Sequence, residues 1–272
     1  MSLARWEMTR SPFVGRGAPA LHFDGESGVE AQARLRYVVQ GGLTALLVGP
    51  RGVGKSLLCN RFAQRLRRGG RAVVAVDLTG LSSREFFWSA TSQLALGPRP
   101  GEGVVELRRR LIDHWATPLR QRAATWLLDN ADRAIGDVLT ELLRLTGDGP
   151  AIAAPLVLAV AHGDAVAGSL RDLLDLRIDI EPWSEHETAS YIQHALVVAG
   201  CPRPLFDEES LSVIFALSEG IPRRVNRLAD GALLAAAAQQ LDAVGADAVE
   251  AAYDGLAWNL TTPPLSSFSE TR

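Results

Sequence analysis

Short apolar runs alternate with longer stretches of helical periodicity through the first two-thirds of the chain. TALLVG (44–49), RAVVAVDL (71–78), TWLLD (125–129), PLVLAVA (155–161) and LRIDIE (176–181) are rich in valine, leucine and isoleucine. Runs of this kind predict strands buried on both faces, as in a parallel sheet. Between them, SLLCNRFAQRLRR, SREFFWSATSQLAL, VVELRRRLIDHWATPLRQRA, IGDVLTELLRLT and the segment around AVAGSLRDLLDL have helical length and periodicity. Five strands joined by helical crossovers predict a doubly wound α/β sandwich. The pattern changes after Pro182. SEHETASYIQHALVVAG (184–200) opens with Ser184 three residues before Glu187, which is capping-box spacing, and closes on Gly200 with Pro202 beyond. DEESLSVIFALSEG, IPRRVNRLADGALLAAAAQQL and ADAVEAAYDGL follow as helices with no strand between them. The expected division is an α/β domain over 1–182, an all-helical domain over 183–256 and a disordered tail over 257–272, polar and proline-bearing.

Composition narrows the class. Apolar residues make up 47% and charged residues 22% of the 272, ordinary for a globular protein with a sizeable core. A formal net charge of −3 gives no global basic field, so bulk charge does not point to nucleic acid. Cys59 and Cys201 stand far apart with neither CxxC spacing nor a nearby histidine pair. They argue against a disulfide framework or zinc site and fit a reducing compartment. The opening MSLARWEMTRSPF lacks the apolar segment of about 7–15 residues that a secretory signal needs. No run of about 18 apolar residues offers a transmembrane span. The expectation is a cytoplasmic protein.

The chemistry concentrates at two strand ends. Gly49-Pro50-Arg51-Gly52-Val53-Gly54-Lys55-Ser56 fits G-x-x-x-x-G-K-[ST] in full, directly after an apolar strand and before an amphipathic helix that continues through Leu57. Glycines let the backbone curl so that successive N–H groups face phosphates, and the helix N-terminus adds a positive dipole. Lys55 is placed to reach the β- and γ-phosphates of ATP, and the Ser56 hydroxyl to hold Mg²⁺. Asp129 ends TWLLD at the carboxyl edge of the sheet, where it can position the same Mg²⁺; the alternative is an N-cap for the helix near Ile135. The basic clusters RLRRGGR (65–71), RRR (108–110) and RQR (120–122) read as solvated helix faces, so nucleic acid is not the favoured partner. Trp88, Trp115, Trp126 and Phe86 read as core.

Together these segments resemble the AAA+ ATPases of the general secretion pathway protein A (ExeA-like) family over roughly residues 6 to 256. The residues that carry the likeness are WEMTRSPF near the start, EAQARLRYVVQGG before the first strand, and two lid segments, PWSEHETASYIQHALVVAG and FDEESLSVIFALSEGIPRRVNRLADGALLAA. In the lid, the spacing of E-T-x-x-Y-I, A-G and G-x-P-R-x-x-N follows the family. The resemblance implies a P-loop NTPase (AAA+) αβα sandwich with a five-stranded parallel sheet in the order 5-1-4-3-2, followed by a small all-α lid, with ATP between them. It implies that Arg223 is a sensor-2 arginine and that His162 occupies the sensor-1 place. It places Arg177, with Arg171 as the alternative, as an arginine finger for a neighbouring subunit, which requires an oligomer. A local reading of Arg177 is a pair with Asp175 or Asp179.

The chain departs from the family at one side chain: Asn130 stands where a glutamate normally follows the Walker-B aspartate. An amide can hydrogen-bond the attacking water but cannot take its proton, a loss of about 10²–10⁴-fold in rate. Asp132 is a possible substitute. The secretion proteins continue into a membrane span and a peptidoglycan-binding region, so no role in moving secretin subunits is carried over. Three readings follow: an ATPase that couples turnover to conformational change or assembly, an ATP-dependent switch that hydrolyses slowly or not at all, and a DNA-associated AAA+ regulator. The client of the first is an unknown protein, an envelope or secretion component being one candidate, which would recruit the chain to the inner membrane.

Overall fold

A computed structural model describes residues 6–13, 23–116, 124–147, 154–161 and 173–256. The chain forms two compact units, one spanning Glu26–Glu181, the other combining the N-terminal stretch through Gly25 with the chain from Pro182 onward.

The first unit runs α1 (Glu26–Gly41), β1 (Thr44–Val48), α2 (Lys55–Arg68), β2 (Val73–Asp77), α3 (Ser83–Gln93), α4 (Val104–Ala116), β3 (Thr125–Asp129), a 3₁₀ turn (Ala131–Arg133), α5 (Val138–Gly147), β4 (Leu156–Val160) and β5 (Leu176–Asp179). The strands form one sheet in the order β2-β3-β4-β1-β5, every described pair parallel, which is 5-1-4-3-2 counted from the other edge. Alternate residues of each strand feed opposite cores, as a period of two requires. Leu46, Val48, Val74, Val76, Leu128, Leu158 and Val160 pack against Phe86 and Phe87 of α3, Leu107 and Leu111 of α4, and Leu142 of α5. Ala45, Leu47, Leu127, Val157 and Ala159 pack against Leu35 and Val38 of α1 and Leu58 and Phe62 of α2. Burial on both faces is why the strand runs read as unbroken apolar stretches. The edge strand β5 differs from that expectation: Ile178 is buried while Arg177 and Asp179 are exposed. Phe86 and Trp126 are core residues and Trp88 packs against them, whereas the side chain of Trp115 lies outside the described set.

The second unit holds α6 (Glu185–Ala199), α7 (Glu208–Ser218), α8 (Pro222–Ala238) and α9 (Ala246–Asp254). Ser184 and Glu187 form the expected capping box, and Gly200 ends α6 in a left-handed conformation at φ 104°. Gly220 is required by close approach: a Cβ there would lie 1.9 Å from the Trp183 carbonyl oxygen. The lid motifs meet in space, since the Tyr191 hydroxyl donates to Asn226 Oδ1 at 2.5 Å.

The domain boundary expected at Pro182 needs correction at the other end of the chain. Trp6, Met8 and Phe13 are buried among Tyr191, Leu196, Val225 and Leu228 of the helical unit, not in the α/β unit. Thr9 N and Oγ1 both donate to the Ala199 carbonyl, at 2.9 and 3.1 Å, and Ser11 Oγ reaches Asp230. Three spaced apolar side chains with no partner strand find their burial on helix faces. Among the described residues no helix is long and apolar enough to cross a membrane. The expected tail over 257–272 lies outside the described residues.

Candidate nucleotide site

β1 ends at Val48, and the chain turns through the Gly49–Gly54 loop before α2 starts at Lys55. Only glycine fits at 49, because a Cβ would sit 2.6 Å from the Ile180 carbonyl oxygen, which belongs to the residue following β5. Gly54 takes φ 115° as the N-cap of α2 and offers no side-chain acceptor. The first turn of α2 carries no acidic residue either. Its leading N–H groups, with the positive end of the helix dipole, are therefore left for an external anion. Ser56 and Leu57 in that turn are exposed, as is Arg51 in the loop, while Val53 is buried beneath it.

Lys55 is buried and turns back onto its own loop: Nζ donates to the carbonyls of Gly49 at 2.5 Å and Pro50 at 3.1 Å. Burial lowers its pKa, and the charges of Asp129 and Asp132 oppose that shift in part. Cys59, one turn further along α2, is a buried hydrophobe; burial, with Asp129 adding, pushes its thiol up to about 12. It has no nucleophilic role at neutral pH.

Asp129 stands at the carboxyl end of β3, in register with Asp77 at the end of β2. Its Oδ1 accepts the backbone N–H of Asn130 at 2.9 Å. It does not cap the following helix, which starts at Val138 and not near Ile135. Asn130 adopts a left-handed backbone, φ 52° and ψ 42°, a conformation costing about 1–2 kcal/mol for residues other than glycine and least for Asn and Asp. Its Nδ2 donates to Asp77 Oδ1 at 2.9 Å. Asp132, in the 3₁₀ turn, keeps Oδ1 buried with no hydrogen-bond partner among the described residues.

Asp77 is the residue that sequence reasoning missed. RAVVAVDL was read as a strand alone, although its aspartate ends an apolar run just as Asp129 ends TWLLD. Partial burial pushes the Asp77 carboxyl upward, but hydrogen bonds from Asn130 and Thr79 and the charge of Arg133 outweigh it and hold the group below the usual carboxylate range.

The other expected residues are not all brought to this loop. Arg177 lies in β5, opposite Leu46 of β1, and its guanidinium is bidentate to Asp179 at 2.8 to 3.0 Å. Asp175 instead accepts the Thr44 N–H at 2.7 Å. Arg223 belongs to the helical unit, in the first turn of α8, where it is exposed and has no hydrogen-bond or ion-pair partner among the described residues. His162 and Arg171 lie outside the described residues.

The arrangement suits a magnesium-bound nucleoside polyphosphate: an uncapped helix N-terminus, an ammonium hydrogen-bonded to loop carbonyls, a hydroxyl at Ser56, the Asp129 carboxylate, and at Asp132 a buried carboxylate oxygen without a partner among the described residues.

Comparison with known proteins agrees with this reading. Residues 39–165 match the AAA domain family. General secretion pathway protein A of Aeromonas hydrophila is 27% identical over 243 residues, covering 85% of this chain. The chain spans 44% of that protein's length. Among solved structures, the ORC2 protein of Aeropyrum pernix, in ADPNP-ADP complexes, has a TM-score of 0.62 at 14% identity and covers 88% of this chain and 72% of its own. The Thermotoga maritima RuvB Holliday junction branch migration motor has a TM-score of 0.59 at 16% identity, covering 87% and 73%. At these identities the structures establish the fold alone. Over residues 39–165 the chain matches the AAA domain family, and across most of its length it resembles general secretion pathway protein A.

Proposed function

We propose that the chain binds MgATP and hydrolyses it, using turnover to drive a change of conformation or assembly. The observation that carries this reading is the Gly49–Ser56 loop itself, closed on an uncapped helix N-terminus with Lys55 buried between loop carbonyls and the charges of Asp129 and Asp132. Lys55 leaves the Gly49 and Pro50 carbonyls for the β- and γ-phosphates, which are stronger acceptors. Backbone N–H groups of the loop and of the first turn of α2 hold the remaining phosphate oxygens. Ser56 and Asp129 hold Mg²⁺, which would neutralise charge on those oxygens. Arg223, exposed and without a partner, is assigned to the γ-phosphate, and Arg177 to the γ-phosphate of a neighbouring copy, so that the working state is an oligomer. The exposed Arg177–Asp179 pair is no obstacle, since such pairs are worth about 0.2–1 kcal/mol.

A second reading, the switch that holds ATP, has its own observation in Asn130. An amide there takes no proton from water, and its Nδ2 is committed to Asp77. Binding of a fluorescent ATP analogue and phosphate release, measured for the wild type and Lys55→Ala over a range of protein concentrations, separate the two. Turnover above the Lys55→Ala blank that rises with concentration supports the assembling ATPase. Tight binding without turnover selects the switch, and no binding by the wild type refutes both.

A further inference from the structure

Charge is segregated along this chain. No Asp or Glu stands between Glu30 and Asp77, a span that holds nine cations, and no Lys or Arg stands between Arg227 and Arg272. The first span contains most of α1 and all of α2. Both helices cover the same sheet face, and Arg65 Nη1 of α2 donates to Gln32 Oε1 of α1 at 2.9 Å, so they lie side by side. α2 has no carboxylate, and in α1 Glu30 is already paired with Arg34. Arg61, Arg65 and Arg68, at i, i+4 and i+7, line the flank of α2 that meets α1, where Arg36 stands one turn from Gln32. Arg36, Arg65 and Arg68 are exposed and Arg61 is half-buried. Arg36 and Arg68 have no hydrogen-bond or ion-pair partner among the described residues. Burial, and after it the charge of Arg65, lowers the pKa of Arg61, as crowding of cations does. α9 carries the opposite charge. Ala248 and Val249 bury one side of it in the helical unit, and Asp247, Glu250 and Asp254, at i, i+3 and i+7, form the other side. All three are exposed, with no hydrogen-bond or ion-pair partner among the described residues. Seven residues of helix span about 10 Å, so three guanidiniums and three carboxylates stand over equal lengths.

We propose that the stripe of Arg61, Arg65 and Arg68, with Arg36 beside it, docks a second copy of this chain through the Asp247, Glu250 and Asp254 face of that copy's α9. The contact rests on the assembly part of the reading above and not on turnover. Guanidinium forks match carboxylates two bonds at a time, and here the two sets agree in number and in span. Nucleic acid is the weaker candidate for the same arginines. The chain carries a net charge of −3, and its stretch after Arg227 holds acids and no cation until Arg272, so a polyanion is repelled where a second copy is attracted. Because the two surfaces differ, the contact is heterologous: each copy offers its arginines to one neighbour and its carboxylates to another. Pairs of exposed charges are screened, so the contact loosens as salt rises.

Charge reversal in the whole chain tests this. One variant carries Arg65→Glu/Arg68→Glu and the other Glu250→Arg/Asp254→Arg. Sedimentation velocity with Mg²⁺ and a non-hydrolysable ATP analogue reads association, and binding of a fluorescent ATP analogue checks that each variant is folded. The wild type should associate, and less so in about 1 M salt, where the screening length is about 3 Å. Each variant alone should bind nucleotide yet associate at least about tenfold more weakly, because like charges then face one another. An equal mixture of the two should regain association, since each supplies the charge that the other needs. Variants that associate as the wild type does, or a mixture no better than its components, would overturn the contact. So would a duplex DNA mobility shift that Arg65→Glu/Arg68→Glu loses while its self-association is unchanged, a result that gives the surface to nucleic acid. A wild type that stays monomeric overturns the contact together with assembly, whereas association without phosphate release leaves the contact standing and removes only turnover from the reading above.

Discussion

Trp6 offers a direct test of the unexpected domain membership of the N-terminal stretch. Its ring is only 2% exposed within the core of the helical unit, and its indole Nε1 has no hydrogen-bond partner among the described residues. Burying an aromatic side chain of about 150–250 Å² is worth about 4–6 kcal/mol at about 25 cal/mol per Å². The unpaired N–H gives back about 1–3 kcal/mol of that. Trp6→Ala should therefore destabilise the helical unit by about 1–5 kcal/mol. Trp6→Phe, which keeps most of the apolar contact and removes the orphan donor, should change stability by less than about 1.5 kcal/mol. Because the chain has two units, a single global melting curve is the wrong instrument. Amide hydrogen exchange read by mass spectrometry reports each unit separately. Peptides from α6 and α8 should exchange about 5- to 5,000-fold faster in Trp6→Ala, the rate equivalent of that free energy, while peptides from β1, β3 and β4 keep wild-type protection. Unchanged protection in α6 and α8, or equal loss in both units, would refute the placement of this segment.

Two further expectations follow. Burial, opposed in part by the hydrogen bond to Asn226, pushes the Tyr191 hydroxyl up to about 12, so the folded unit keeps a proton that the unfolded chain loses near 10. Its stabilising contribution is therefore complete below pH 10 and falls as pH rises toward 12; Tyr191→Phe should flatten that fall in hydrogen-exchange or urea-unfolding series, and an unchanged slope would show that Tyr191 is not its source. If Arg177 serves a neighbouring copy, Arg177→Ala and Lys55→Ala should each be inactive alone yet regain turnover when mixed, since one supplies an intact loop and the other an intact finger; no gain on mixing sinks that role.

The parts of the fold that were legible in the sequence are those in which one physical demand fixes residue type and spacing together. Strands covered on both faces must be apolar throughout, so β1 to β4 stood out as runs. Gly49 is fixed by its approach to the Ile180 carbonyl, and Ser184 and Glu187 by a reciprocal cap, so loop and helix start were readable. The lid spacing has a similar cause: Tyr191 meets Asn226 by a hydrogen bond, and Gly220 lies against Trp183. What escaped reading depended on contacts between distant residues. A single aspartate at the end of β2 carries no spacing signal, and only the strand register sets Asp77 beside Asn130. Trp6, Met8 and Phe13 have no period that names the helices covering them. Ile135 misled the helix start because it is apolar, yet it is 59% exposed and precedes α5.

The site's charge balance gives a reason for an amide at 130. A buried ammonium costs several kcal/mol unless it is compensated, and Lys55 is compensated by two carbonyls and by Asp129 and Asp132. Burial still prevails and lowers its pKa. A glutamate at 130 would add another negative charge next to Asp129, and like charges disfavour one another's ionised forms. Asn130 avoids that repulsion and directs its donor at Asp77, so the additional carboxylate is held on β2 by hydrogen bonds that favour its ionised form.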